Sequence, residues 1–199
     1  KEEYFCLIEN DINLLNQNPG RKVQSLNDSS FDSWIKFYKI DENTPNSVVS
    51  YYLKGSLVSL LIDLMLINDT DGDKSFDNVF QLLWKNYKQT GNGFKETLFF
   101  DIIKSLGAKN ISKIKKYVYQ LDEINFNFFL NPIGMQIKKG YEKNNDKNKA
   151  WIGIKYSSDL KIKTVFKNSP AEKFGLYAFD EIIAINNIRV NQNNIDEIL

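Results

Sequence analysis

The chain has 199 residues, enough for one large domain or two small ones with at least one sizeable core. Its 26 Lys+Arg nearly cancel its 25 Asp+Glu, so at net charge +1 no overall field draws it to nucleic acid or to an anionic membrane. It has no histidine and one cysteine, Cys6, which excludes His-based triads, His metal ligands, thiolate zinc clusters and internal disulfides, and with them most hydrolytic chemistry by this stretch alone.

Tyr4, Phe5, Leu7, Ile8, Ile12 and Leu15 recur at three-to-four spacing and predict a helix from Glu2 to Asn16, stopped by Pro19-Gly20. The chain opens on Lys1 in that pattern and ends at Leu199 as another helix begins, so an excerpt of a longer protein is expected. A cytoplasmic compartment is the working expectation, with upstream sequence deciding it. A short helix is predicted after Asp28-Ser29-Ser30, carrying Phe31, Trp34, Ile35 and Tyr38.

Pro45-Asn46-Ser47 is a capping signal for a helix from Val48 to Ile67, about five turns at ~3.6 residues each. Its longest apolar run, Leu57 to Ile67, is about half the ~20 residues of a membrane span and contains Asp63, so it reads as a buried helix. Val49, Leu53, Leu57, Leu60 and Leu64 form an apolar stripe, and Tyr52, Ser56, Ser59 and Asp63 a polar one. The plain reading of that polar stripe is a solvated face on which Tyr52 packs its ring. Gly55 within the helix costs about 1 kcal/mol relative to alanine, which predicts a close neighbour. Lys54 reads as a solvated flank.

Further on, Ser75 predicts the cap of a helix to Tyr87, Gly91-Asn92-Gly93 a break, and two more helices run from Lys95 to Leu106, ended by Gly107, and from Ser112 to Gln120. Asp69-Thr70-Asp71-Gly72-Asp73 opens like an EF-hand loop, but Lys74 and Phe80 stand where that loop needs Gly and Glu, so a polar turn without structural calcium is predicted. Adjacent side chains point apart, so neither Asp122-Glu123 nor Asp180-Glu181 reads as an acid/base couple.

After Pro132 the pattern changes to short β-branched or aromatic runs: Trp151 to Tyr156, Lys161 to Phe166, Glu181 to Ile185 and Ile188 to Val190. Ser169-Pro170-Ala171-Glu172 starts a short helix ended by Gly175, Asn186-Asn187 suits a two-residue turn, and Tyr141 to Lys149 reads as an exposed loop. A domain boundary is placed near Asn131, dividing residues 1–131 from 132–199.

The segments Gly20 to Leu26, Ser30-Phe31-Asp32-Ser33-Trp34-Ile35-Lys36-Phe37-Tyr38, Asp41-Glu42-Asn43-Thr44-Pro45-Asn46 and Ser50-Tyr51-Tyr52-Leu53-Lys54-Gly55 come in an order that resembles the region after the zinc site of the glycyl aminopeptidase family. Members are zinc metallopeptidases with an HExxH helix, a later glutamate ligand and a C-terminal PDZ domain. Tyr52-Leu53-Lys54-Gly55 matches a motif in which a tyrosine hydroxyl hydrogen-bonds the oxyanion of the tetrahedral intermediate, so the resemblance implies that role for Tyr52, with Tyr51 as fallback. About 100° of helical rotation between neighbours predicts that the two do not reach one oxygen. No HExxH is present, so zinc is expected in the intact enzyme, upstream of Lys1, and none in this stretch, which alone cleaves nothing.

Ser169 to Leu176 and Asp180 to Asn187 are similar to the core of bacterial PDZ domains, and Trp151-Ile152-Gly153-Ile154 falls where those carry the loop that binds a peptide's terminal carboxylate. Phe179 replaces the glycine usual before the aspartate, and the closing helix and strands would lie beyond Leu199. The resemblance therefore implies an α+β chain, in which a mainly α-helical segment closing a metallopeptidase catalytic domain precedes a truncated PDZ-like β domain. It implies a part of an aminopeptidase that removes N-terminal residues from peptides, with peptides rather than nucleic acid or membrane as partners. The alternatives are a non-enzymatic scaffold whose PDZ-like module binds peptide termini, and a degenerate peptidase without its metal.

Overall fold

The computed structural model describes residues 2–138, 140 and 151–198. The loop expected from Tyr141 to Lys149 lies outside them.

Helix α1 (Glu2–Gln17) forms as its spacing predicts, and Pro19–Lys22 adds a 3-10 turn whose first free N–H, from Arg21, is accepted by Asn18 Oδ1 at 3.1 Å. Helix α2 (Leu26–Phe31) begins earlier than expected because Ser25 is the cap, its Oγ accepting the Asp28 N–H at 3.0 Å. Trp34, Ile35 and Tyr38 consequently sit in the turns after the helix.

The helix expected from Val48 starts later, as α4 (Tyr51–Asp69), and the expected capping segment Pro45-Asn46-Ser47 lies instead in a short helix of its own, α3 (Thr44–Ser47). Ser50 caps α4 by accepting the Leu53 N–H at 3.2 Å. The break runs through fully buried Val49, where unpaired backbone groups would be costly. Buried side chains satisfy both: Gln24 Oε1 accepts the Val49 N–H at 3.2 Å, and Ser29 Oγ donates to the Val49 carbonyl at 2.5 Å.

Helix α4 is the hub, touching α1, α2, α5 (Phe76–Thr90), α7 (Ile111–Tyr119) and α8 (Phe126–Leu130), while α6 (Glu96–Ser105) packs on α5 and α7. The helix is apolar nearly all round, and its deepest face is Leu57, Val58, Leu61, Ile62, Met65 and Leu66. Leu53, Leu60 and Leu64 of the expected apolar stripe are only half-buried. By length and composition alone the 26-residue Thr44–Asp69 stretch could cross a membrane, its most apolar window having a mean hydropathy of 1.4, and 44% of that window is buried inside the chain. Asp63 has a structural role on this helix: its Oδ1 accepts the Phe76 N–H at 2.8 Å, at the free N-terminus of α5.

Among the described residues Gly55 has no close neighbour. A Cβ there would meet Leu26 Cδ1 at 3.9 Å, an ordinary contact, so the expected tight packing is absent. Gly20 is crowded instead, since a Cβ there would stand 2.3 Å from the Val48 carbonyl oxygen.

In the C-terminal part, β1 (Ile154–Tyr156) and β2 (Ile162–Val165) pair antiparallel with Ile154 opposite Val165, and β3 (Ala184–Ile185) pairs with β4 (Ile188–Arg189). Asn186 and Asn187 form the turn at φ 52° and 64°, as their tolerance of that region predicts. The strands are shorter than the expected runs, since Trp151 to Gly153 stay outside the ladder and Glu181 makes only an isolated bridge to Lys161. Helices α9 (Pro170–Lys173) and α10 (Ile195–Ile198) complete this part, whose small core is Leu160, Val190 and Ile195. The chain is α+β: helix-rich, with two two-stranded sheets among the described residues.

Candidate functional site

Helix α4 begins with Tyr51 and Tyr52, so both phenols stand on its first turn, beside the turns that carry Phe37 and Tyr38. Tyr38 Oη lies 2.9 Å from Tyr51 Oη and 3.2 Å from Tyr52 Oη. The two adjacent phenols therefore do converge on one oxygen, against the expectation from helical rotation. Their rings lean together, with centroids 4.2 Å apart, because Phe37 packs on both, at 5.3 Å from Tyr51 and 6.1 Å from Tyr52. Trp34 lies 5.0 Å from Tyr38 and completes a five-ring cluster.

Tyr52 is 61% exposed, so its hydroxyl is available to a partner outside the chain. Hydrogen bonds from Tyr38 and then Tyr51 hold its ionisation below the ordinary phenol value, since they stabilise the phenolate form. The same bonds, first with Tyr38 and then with Tyr52, push Tyr51 well above that value. Tyr38 was not singled out by the sequence as a site residue. The available signal was the density of rings in Trp34, Phe37 and Tyr38 ahead of a Tyr-Tyr helix start.

Lys54 is not the solvated flank expected from its position. It is 2% exposed, because it shares a stripe with Leu57, Val58 and Leu61 and so turns inward. It enters a cleft lined by Leu15, Arg21, Asp122 and Glu123. Burial lowers its ionisation, opposed by the charges of Glu123 and Asp122. Glu123 is itself held by Arg21, Nε to Oε2 at 3.2 Å. Asp122 and Glu123 thus serve one cluster of charges.

In the second part, Gly153 has φ +85°, and a Cβ there would stand 2.1 Å from Ser169 Cβ, so only glycine fits this turn. The carbonyl of Ile152 accepts the Ala171 N–H at 3.0 Å and that of Gly153 accepts the Phe166 N–H at 2.8 Å. Trp151 is exposed at the mouth of the turn and Ile154 starts β1. The turn lies far in sequence from the phenols, but the helical part reaches its neighbourhood: Asn46 Nδ2 donates to the Val165 carbonyl at 2.8 Å.

Among the described residues no three His, Cys, Asp or Glu side chains are grouped so as to hold a metal ion. In the EF-hand-like turn, Asp69 Oδ2 instead accepts the Lys109 N–H at 2.7 Å.

Residues 1–58 match the family model of M61 glycyl aminopeptidase. Among solved structures, the chain is similar to an aminopeptidase N family protein from Idiomarina loihiensis, with 29% identity and a TM-score of 0.82. That similarity covers 95% of this chain and 34% of the other, so the chain spans about a third of the length of that protein. No curated protein matches. The matched family segment ends at Val58, and so contains Tyr38, Tyr51, Tyr52, Lys54 and Gly55.

Proposed function

We propose that this chain is the C-terminal part of a zinc-dependent aminopeptidase, in which it forms one wall of the cleft and supplies Tyr52 as hydrogen-bond donor to the oxyanion of the tetrahedral intermediate. The observation that carries this reading is an exposed, ring-packed phenol at the start of a buried helix, inside the stretch that matches the glycyl aminopeptidase family. A phenol that keeps its proton is a hydrogen-bond donor, and a fixed donor of this kind contributes typically about 100- to 1000-fold in rate. The metal would be held by residues outside this chain, and the chain by itself is proposed to be inactive. Its own residues fix the donor: Phe37 packs the rings, and Ser50 caps the helix that bears them.

Residues 132–199 are proposed to be a truncated PDZ-like domain, with Trp151, Ile152, Gly153 and Ile154 as the turn that would receive a peptide's terminal carboxylate. The positive φ of Gly153 supports this, because it lets successive backbone amides face one side. If this turn is the chain's main function, the protein is instead a peptide-binding scaffold.

The two readings separate in the longer protein by release of an N-terminal residue from a chromogenic aminoacyl substrate. Tyr52→Phe is expected to lower kcat by about 100-fold or more while leaving bound metal unchanged. Undiminished turnover, or no peptidase activity in a metal-loaded protein, overturns the enzymatic reading.

A further inference from the structure

The polarity of the three-phenol cluster follows from a count of protons. A phenol hydroxyl has one proton to donate and two lone pairs that accept. Tyr38 is the middle member, within hydrogen-bond distance of both Tyr51 and Tyr52, and with one proton it cannot donate to both. If Tyr38 donates to Tyr51, or accepts from both neighbours through its two lone pairs, then Tyr52 must spend its own proton on Tyr38 and offers only lone pairs outward. If Tyr51 donates to Tyr38 and Tyr38 to Tyr52, the Tyr52 proton is free for an oxygen from outside the chain.

We propose that Tyr38 is a positioning residue for Tyr52, the centre of a relay running Tyr51 to Tyr38 to Tyr52 that leaves the Tyr52 hydroxyl proton directed at the substrate oxyanion. The proposal rests on the role given above to Tyr52. Three observations favour this polarity. The Tyr51 to Tyr38 contact is the shorter, 2.9 Å against 3.2 Å. The exposed end of the chain of hydroxyls is Tyr52, where an incoming group can accept, whereas Tyr51 is half-buried. The ionisation order, Tyr52 lowered and Tyr51 raised, is the one expected when hydroxyls upstream support a negative charge at the Tyr52 end. Among the described residues the titratable groups acting on Tyr52 are these two phenols.

Tyr38 is held for this task. Trp34 packs on its ring, Phe37 meets it edge-on at 5.4 Å, and its N–H donates to the Ser33 carbonyl at 3.0 Å. Lys36 Nζ and Asp32 Oδ2, 2.5 Å apart, clamp the same turn.

The test begins with ultraviolet titration of phenolate formation in the 199-residue chain. The step lost on Tyr52→Phe marks Tyr52, and it is expected below the ordinary value of 10.0. In the Tyr38→Phe background that step is expected to move up toward 10.0, and Tyr51→Phe, which removes the source and keeps Tyr38, is expected to move it the same way by less. In the longer protein Tyr38→Phe is expected to lower kcat about tenfold with KM held, the scale of one lost hydrogen bond in the transition state. If Tyr52→Phe abolishes turnover yet Tyr38→Phe moves neither the titration step nor kcat, the relay is overturned. If Tyr52→Phe leaves turnover intact, the peptidase role of Tyr52 fails instead, and the titration alone judges the polarity. Tyr38 is exposed on one side, and circular dichroism checks that each variant is folded.

Discussion

Asn46 and Lys167 lie 121 residues apart and are joined by one bond, from the Lys167 N–H to Asn46 Oδ1 at 2.9 Å. The same amide donates from Nδ2 to the Val165 carbonyl at 2.8 Å, so a single buried side chain ties the helical part to the end of β2 by its donor and its acceptor at once. Asn46→Ala leaves both backbone groups unpaired and is expected to destabilise the chain by about 2 kcal/mol, from two bonds of about 1 kcal/mol each. Asn46→Asp keeps the acceptor and sets a carboxylate against the Val165 carbonyl, and is expected to cost at least as much. Denaturant unfolding measures the loss, and limited proteolysis after Val165 should quicken in both variants. Wild-type stability in Asn46→Ala would show that the tie is idle.

How much of this was legible in the sequence depended on which residues carried the pattern. Periodicity placed α1, α5, α6 and α7, because each is amphipathic, and α5 and α6 also end at Gly91 and Gly107, which read locally. It misplaced the start of α4, because the break at Val49 is stabilised by Gln24 and Ser29, about twenty residues away, and no local signal reports a partner at that distance. It also missed the short helix α8, a run of aromatic residues with too few turns to display a period. The Tyr-x-Lys-Gly motif pointed to Tyr52, but the oxygen that engages Tyr52 belongs to Tyr38, on the turns after α2, and only the packing of rings joins them.

Gly20 and Gly55 are predicted to respond in opposite directions to alanine. Gly20→Ala drives a methyl to within 2.3 Å of the Val48 oxygen and 2.6 Å of its nitrogen, atoms of backbone that cannot swing away. It is expected to cost about 3 kcal/mol or more, and to disturb the segment that launches Tyr51 and Tyr52. Gly55→Ala meets only Leu26 Cδ1 at 3.9 Å and is expected to be stabilising by about 0.5–1 kcal/mol, the ordinary gain in a helix interior. Thermal unfolding of the pair reads both signs, and a Gly55→Ala that destabilises would overturn this account of the helix.

Lys54 predicts a pH dependence. Burial holds its folded ionisation below its ordinary 10.5, so between the folded value and 10.5 the unfolded chain binds more protons than the folded one, and this group makes stability rise with pH through that window. Below the window the lysine is charged in both states and its burial opposes folding in full. Lys54→Met is therefore expected to stabilise the chain at pH 7 by about 1 kcal/mol, since Glu123 keeps Arg21 and Asp122 is partly solvated, leaving no orphaned buried charge. The advantage over wild type should shrink as pH approaches 10. An advantage that stays constant with pH would mean that packing, not desolvation, separates the two side chains.

Phe179 holds a backbone conformation that suits a residue without a side chain. Its φ is 76°, where a bulky side chain crowds the backbone, and its ring is 73% exposed, so little packing offsets the strain. The conformation persists because the turn is fixed on both sides: the Phe179 N–H donates to the Ile162 carbonyl at 2.7 Å, and the next residue accepts the Ile162 N–H through its own carbonyl at 2.8 Å. Phe179→Gly relieves about 1–3 kcal/mol of strain and adds about 0.5–1 kcal/mol of unfolded-state entropy, so a net stabilisation of about 1 kcal/mol is expected. Phe179→Ala keeps the unfavourable φ and should gain much less. Equal unfolding midpoints for the two variants would show that the strain is carried elsewhere in the turn. If glycine gains and alanine does not, the backbone of the turn before Asp180 is shaped for glycine.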